Sequence, residues 1–202
     1  MSSPNPSLLT PGEYLEIERK SEIRSEYIGG RMYAMSGASR RHALIAGNFF
    51  RELSSQLRTR ACEAYMNDLR VKVSPTGMYT YPDIIAVCGE VLLEDDHFDT
   101  LLNPTVIVEV LSESTEAYDR GEKFAHYRRL DTLREYVLVA QNKIRIEHFR
   151  REGEEWILSE VSGPDATLHL GSIDCHIPVS AIYEKVEFKT PGPAGGTASG
   201  HA

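Results

Sequence analysis

Glu109 is the residue whose setting first demands chemistry. It interrupts Thr-Val-Ile-Val-Glu-Val-Leu at 105–111, a nearly continuous β-branched and apolar run. An ionised carboxylate in an interior strand is costly unless a cation, a partner or a proton offsets its desolvation. Asp83 raises the same question: it follows Pro82 and precedes Ile-Ile-Ala-Val at 84–87, so it stands at the start of a second buried run, where proline is tolerated at an edge, a strand start or a bulge. Two carboxylates on neighbouring strands can converge on one point. With a backbone carbonyl they make the oxygen site that hard cations such as Mg²⁺ prefer, with Mn²⁺ as a substitute, and zinc suits it less well. Lys123 is the third element. Read as lying in the first turn of its helix, where the macrodipole disfavours a cation, it needs something else to hold it. Beside a metal it would position or deprotonate an attacking water and help neutralise charge growing on a phosphate.

These residues need a framework, and the pattern supplies one. Thr10-Pro11-Gly12-Glu13 joins an N-cap hydroxyl, a first-turn proline and a capping-box glutamate, predicting a short helix to about Arg19 that acts as a lid or brace. Strands over 24–28 and 31–35 flank Gly29-Gly30, a pair suited to a tight hairpin, which places Glu26 mid-strand. Ile45, Phe49, Leu53 and Leu57 recur at helical spacing behind Ser39, predicting a helix over 39–57. Strand-like runs follow at 62–66, 69–73 and 78–87, then an acidic loop over 89–104 and the buried strand at 105–111. Asp119 and Glu122 read as a second capping box, opening a helix to about Leu130 before another buried strand at 135–140. Strand, helix, strand is the order of a right-handed crossover. Runs at 143–150 and 155–161 alternate around Gly153 like an edge meander. The expected organisation is a flexible segment 1–9, a single domain over 10–188 and a disordered Gly- and Pro-rich tail over 189–202.

Composition bounds the partners. No uninterrupted apolar run approaches the ~20 residues that span a bilayer, and the first ten residues lack the basic and apolar regions of an export signal, so no membrane association is expected. Cys62, Cys88 and Cys175 are odd in number and far apart, which points away from a disulfide framework and toward a reducing cytoplasm. The net charge of −8 opposes binding to a polyanion. The arginine pairs at 40 and 41, 58 and 60, 128 and 129, and 150 and 151 either form a local basic strip or balance nearby acids.

Pro82-Asp83, Glu109-Val110-Leu111 and Lys123, in that order, resemble the PD-(D/E)XK nuclease superfamily, and more closely its Uma-type group of restriction endonucleases. The resemblance extends to Glu26 through Met32, Arg41-His42, Val108 through Ser112, Ser114-Thr115, Asp119, Tyr127 and Glu135 through Val139, and covers roughly residues 10 to 185. It implies a restriction-endonuclease-like fold, an α/β (α+β) domain with a central mixed sheet carrying Glu26, Asp83 and Glu109 between helices. It further implies Asp83 and Glu109 as metal ligands, Lys123 as the catalytic lysine, Glu26 as an upstream acid at the site, and DNA as the substrate. In the broader superfamily a lysine stands two residues after the second acid; here that position is Leu111, so Lys123 must replace it in space.

His42 shares a helical face with Ile45 and Phe49, so packing in the core is its plainer role and support of the site its sharper one. Tyr127, one turn after Lys123, either orients it or is simple core. His169, Cys175 and His176 have no standard ligand spacing. The functional expectation is therefore a Mg²⁺-dependent endonuclease, with a homodimer suiting cleavage of both strands. The alternative is a catalytically inactive nuclease fold serving as a binding or assembly module, which the acidic balance and Leu111 favour. A glycosidase-like carboxylate pair lacks the aromatic platforms such sites need, with one Trp in the chain.

Overall fold

A computed structural model describes residues 8–188; apart from Leu8 and Leu9, the segments expected to be flexible, 1–9 and 189–202, lie outside them. The chain opens with α1 (Pro11–Glu18), where Thr10 Oγ1 accepts the Glu13 N–H at 3.3 Å and Glu13 Oε2 accepts the Thr10 N–H at 2.7 Å, as a capping box requires. The hairpin of β1 (Ser25–Ile28) and β2 (Arg31–Ala34) follows. It turns through Gly29 and Gly30 at φ +55° and +86°, a region open to glycine without strain. Next come α2 (Arg40–Leu57), β3 (Cys62–Met66), β4 (Arg70–Val73), β5 (Met78–Thr80), β6 (Ile84–Cys88), β7 (Thr100–Leu101) and β8 (Val106–Leu111). A helical segment comprises α3 (Glu116–Tyr118), a π turn (Asp119–Lys123) and α4 (Phe124–Tyr127), and leads to β9 (Glu135–Ala140). The chain then runs through β10 (Arg145–Glu152), β11 (Glu155–Ser162), β12 (Thr167–Leu170), β13 (Cys175–Pro178) and α5 (Val179–Ile182).

The architecture is mixed α+β with helices flanking mixed sheets. A six-stranded sheet runs β11-β10-β9-β8-β6-β3 and a five-stranded sheet runs β2-β1-β5-β4-β7. β8 and β9 pair in parallel around the crossover helix, and β10 and β11 form the expected edge meander. Strand alternation sorts β8 to two cores. Val106, Val108 and Val110 pack with Ile45, Phe49 and Leu53 of α2, whereas Ile107 and Leu111 face Tyr127, Leu133 and residues of the five-stranded sheet. Glu109 shares the second face. α1 braces the five-stranded sheet: Tyr14 and Leu15 pack on Tyr27 and Tyr79, Tyr14 Oη donates to the Ser25 carbonyl at 2.8 Å, and Glu18 accepts the Ser25 N–H at 3.0 Å.

Four expectations need correction. The run at 78–87 is two strands, because Pro82 cannot donate to a ladder and the chain passes at Tyr81-Pro82-Asp83 from the five-stranded sheet into the six-stranded one. The three acids therefore do not share one sheet: Glu26 lies on β1, Glu109 on β8, and Asp83 in the bend before β6. The helix expected over 119–130 begins at Glu116, so Asp119 is not its cap and Lys123 is not in its first turn. Finally, Cys62 and Cys88 are joined in a disulfide. Their 26-residue separation concealed that β3 and β6 pair antiparallel with these two cysteines opposite each other, leaving Cys175 as a buried thiol.

Candidate functional site

The six-stranded sheet brings the two acids together by register. β6 pairs with β8 through Ile84↔Val108 and Ile85↔Ile107, so one further step sets Asp83 beside Glu109. Asp83 Oδ2 accepts the Val110 N–H at 2.7 Å, and the Asp83 N–H reaches Glu109 Oε2 at 3.4 Å. His42, in the first turn of α2, places Nε2 3.1 Å from Asp83 Oδ2. Burial alone would lower the His42 pKa, but the Asp83 carboxylate and, more weakly, Asp119 raise it above the usual imidazole value. His42 is thus a partner of the site rather than core packing.

Lys123 is buried at the point where the two sheets meet. Its Nζ lies 2.9 Å from Glu109 Oε1, 3.0 Å from Glu26 Oε1 and 3.6 Å from Asp119 Oδ1. Burial would push an ammonium toward neutrality, yet these carboxylates, Glu109 foremost, hold its pKa well above the ordinary lysine value. The three acids, and not a helix terminus, supply what keeps a cation here. Glu26 is fixed in turn by Thr80 Oγ1, which donates to Oε1, and by Tyr118 Oη, which donates to Oε2 at 3.2 Å. Tyr127, fully buried, donates to Glu109 Oε1 at 3.0 Å, so it orients the acid and touches Thr80 at 3.3 Å.

Asp119 is the site residue that sequence reasoning assigned to another task. Asp-x-x-Glu at 119–122 mimics a capping box, but the carboxylate is buried against the cleft and its pKa is raised, chiefly by desolvation and further by Glu26 and Asp83. Its place in the family resemblance and its i,i+4 relation to Lys123 were the available signals. All six groups, Glu26, His42, Asp83, Glu109, Asp119 and Lys123, line one cleft of about 800 Å³.

The donor set suits a hard divalent cation. Four carboxylates face Lys123 and His42, leaving negative charge in excess. Burial, with Asp119 and Asp83 nearby and Lys123 opposing them, pushes Glu109 up to about 8. A cation bound through Glu109 must displace that proton. Apparent affinity for a divalent cation is therefore expected to rise with pH while Glu109 holds its proton and to level off once it has lost it, with proton release on binding. The sign for stability is opposite. A carboxyl whose folded pKa exceeds its unfolded value stabilises fully below about 4.5 and loses that contribution as pH rises through about 8. Calorimetry in buffers of different ionisation enthalpy checks the first statement, and metal-free melting curves across pH check the second; affinity independent of pH would refute the argument.

No helix among the described residues is long and apolar enough to cross a membrane. Similarity to known proteins agrees with the fold. The chain resembles the crystal structure of a protein described as a putative nuclease belonging to DUF820 from Anabaena variabilis, with a TM-score of 0.72 at 18% identity over 87% of this chain and 97% of that one. Two Synechocystis proteins, both named uncharacterized, are also similar. One, sll1609, is 33% identical over 80% of this chain and 92% of its own length; the other, slr1290, is 34% identical over 93% and 97%. Residues 11–179 match the Uma2 family, described as "Putative restriction endonuclease", and the chain belongs to that family.

Proposed function

We propose that the cleft hydrolyses phosphodiester bonds in DNA with Mg²⁺, or Mn²⁺ in its place, held by Asp83 and Glu109. The observation that carries this reading is Lys123 Nζ lying 2.9 Å from Glu109, on the cleft that Asp83 also faces. On this reading Lys123, from the following helix, serves in place of the lysine that Leu111 replaces. The bound cation would supply charge neutralisation on the phosphate and ease deprotonation of water. Asp83 and Glu109 provide its oxygen ligands, His42 and the Val110 N–H orient Asp83, and Tyr127 orients Glu109. Lys123, kept as an ammonium, acts as donor and electrostatic partner rather than as base: it would hold the attacking water or a non-bridging phosphate oxygen as a new O–P bond forms and an ester P–O bond breaks, the water's proton passing to solvent and the departing oxygen taking one from it. Glu26 positions Lys123.

Arg40 and Arg41 open α2 beside the cleft and suit a phosphate backbone. Arg60 and Arg151 are otherwise engaged, donating to the carbonyls of Asp174 at 2.6 Å and Leu130 at 2.9 Å. Cutting both strands in one encounter takes two sites, so a pair of chains per duplex accompanies this reading. Access to DNA accompanies a cytoplasmic setting, with the Cys62–Cys88 disulfide as the observation that pulls against it. Incubation of the purified protein with plasmid and single-stranded DNA, with Mg²⁺, Mn²⁺ or chelator, tests the proposal. Metal-dependent nicking or linearisation is expected; DNA binding without cleavage under every condition would transfer the conclusion to the inactive binding module.

A further inference from the structure

Near the end of α2 remote from His42, the β12–β13 hairpin carries a second group of ligating side chains. Its register sets His169 directly opposite His176. Leu168, Leu170, Cys175 and Ile177 turn inward to the core, so both imidazoles face solvent by alternation. The rings stack with centroids 4.2 Å apart and planes 12° from parallel. Asp174, in the turn at φ +50°, brings Oδ1 to 3.7 Å from His176 Nε2. One ligand atom from each of the three residues lies within 4.8 Å of the other two.

We propose that His169, Asp174 and His176 bind a borderline divalent cation, Zn²⁺, at a site separate from the acidic cleft. Two neutral imidazoles and one carboxylate, with water in the fourth position, form a donor set that zinc accepts tetrahedrally and that Mg²⁺ does not favour. Closure onto one ion at roughly 2.0–2.1 Å needs only side-chain rotation at the solvent surface. The backbone is already fixed. Gln56 of α2 clasps His176 in both directions, accepting its N–H at 2.9 Å and donating to its carbonyl at 2.8 Å. Arg60 donates to the carbonyls of Ile173 and Asp174 and sits 3.4 Å from Asp174 Oδ2, leaving Oδ1 toward the histidines. Ser172 donates its N–H to buried Glu135 at 2.6 Å. Such outer contacts orient ligands before the ion arrives. Cys175 takes no part, because its place in the strand points it into the core.

Zinc titration of the full chain without an affinity tag, by calorimetry with a competing chelator, tests the site. The parent is expected to bind one ion through the hairpin and to gain roughly 3–6 °C in melting temperature at zinc about tenfold above Kd. His169→Gln and His176→Gln should each lose this binding, and Asp174→Asn should weaken it by about tenfold or more. A double variant, Asp83→Asn with Glu109→Gln, removes the cleft's ligand charges and should retain it. X-ray absorption of the zinc complex should give two imidazole nitrogens. A parent that binds no zinc, histidine variants that bind like the parent, or binding that disappears with the cleft variants would each overturn the proposal.

Discussion

Lys123→Ala is expected to reduce single-turnover DNA cleavage by about 10²-fold or more while leaving Mg²⁺ affinity equal to or above that of the parent. On the proposed mechanism the rate falls because the substitution removes the ammonium that would hold the phosphate or the water, the usual scale for losing a positioned electrostatic group. Binding does not fall because Asp83 and Glu109 stay in place as oxygen ligands and lose a competing cation 2.9 Å from Glu109. The same change strips Glu26, Glu109 and Asp119 of their common partner. Removing one member of a buried ion pair typically costs about 3–5 kcal/mol, less whatever protonation of the acids recovers. The loss of melting temperature in metal-free protein is therefore expected to grow with pH, as the acids lose the option of remaining neutral, and to shrink when Mg²⁺ is added. Melting curves with and without Mg²⁺ beside cleavage rates distinguish this from general unfolding. A variant that cleaves like the parent would remove Lys123 from the mechanism.

Glu109→Gln and Asp83→Asn should produce the complementary pattern: cleavage lower by about 10²-fold or more and Mg²⁺ affinity weakened by at least about tenfold, since each removes a formal charge from a hard-cation site and keeps its shape. The stability signature separates the two residues. Glu109 carries a pKa raised chiefly by burial, against the pull of Lys123, so its neutral isostere removes a desolvated charge and also the foremost partner of Lys123, and the melting temperature of Glu109→Gln should fall less than that of Lys123→Ala at pH 8 and above. Asp83 accepts the Val110 N–H and pairs with His42; its amide keeps the first contact and weakens the second, so a modest loss is expected. Calorimetric Mg²⁺ titrations and single-turnover cleavage measure these outcomes. Parent-like cutting by both variants would assign the activity elsewhere.

Much of the framework was legible because local rules and tertiary packing agree there. The Thr10–Glu13 capping box, the Gly29-Gly30 hairpin and the apolar face of α2 are each specified within a few residues. Glu109 and Asp83 were legible as exceptions, charges set in runs that packing otherwise reserves for apolar groups. What escaped was decided between distant segments. Pro82 announced an interruption, but nothing local said that the chain would change sheets there. Asp119 carried a pattern whose local reading, a cap, and tertiary reading, a cleft acid, use the same residues. The Cys62–Cys88 bond and the His169–His176 pair depend on strand register, which sequence spacing alone does not reveal.

The wide turn at Asp119–Lys123 makes segment length, as well as composition, a determinant of where the acids and the ammonium point. A π turn encloses one more residue than an α turn, and each residue in a helix swings its successor by about 100°. Gly121 is exposed at the middle of that turn and bears no side chain, so removing it would take no functional group from the cleft. Shortening the chain there would return the segment to even winding and rotate Asp119 away from Lys123, with every functional side chain still encoded. The cleft is thus set to length, and its aim is vulnerable to a change that substitutes nothing.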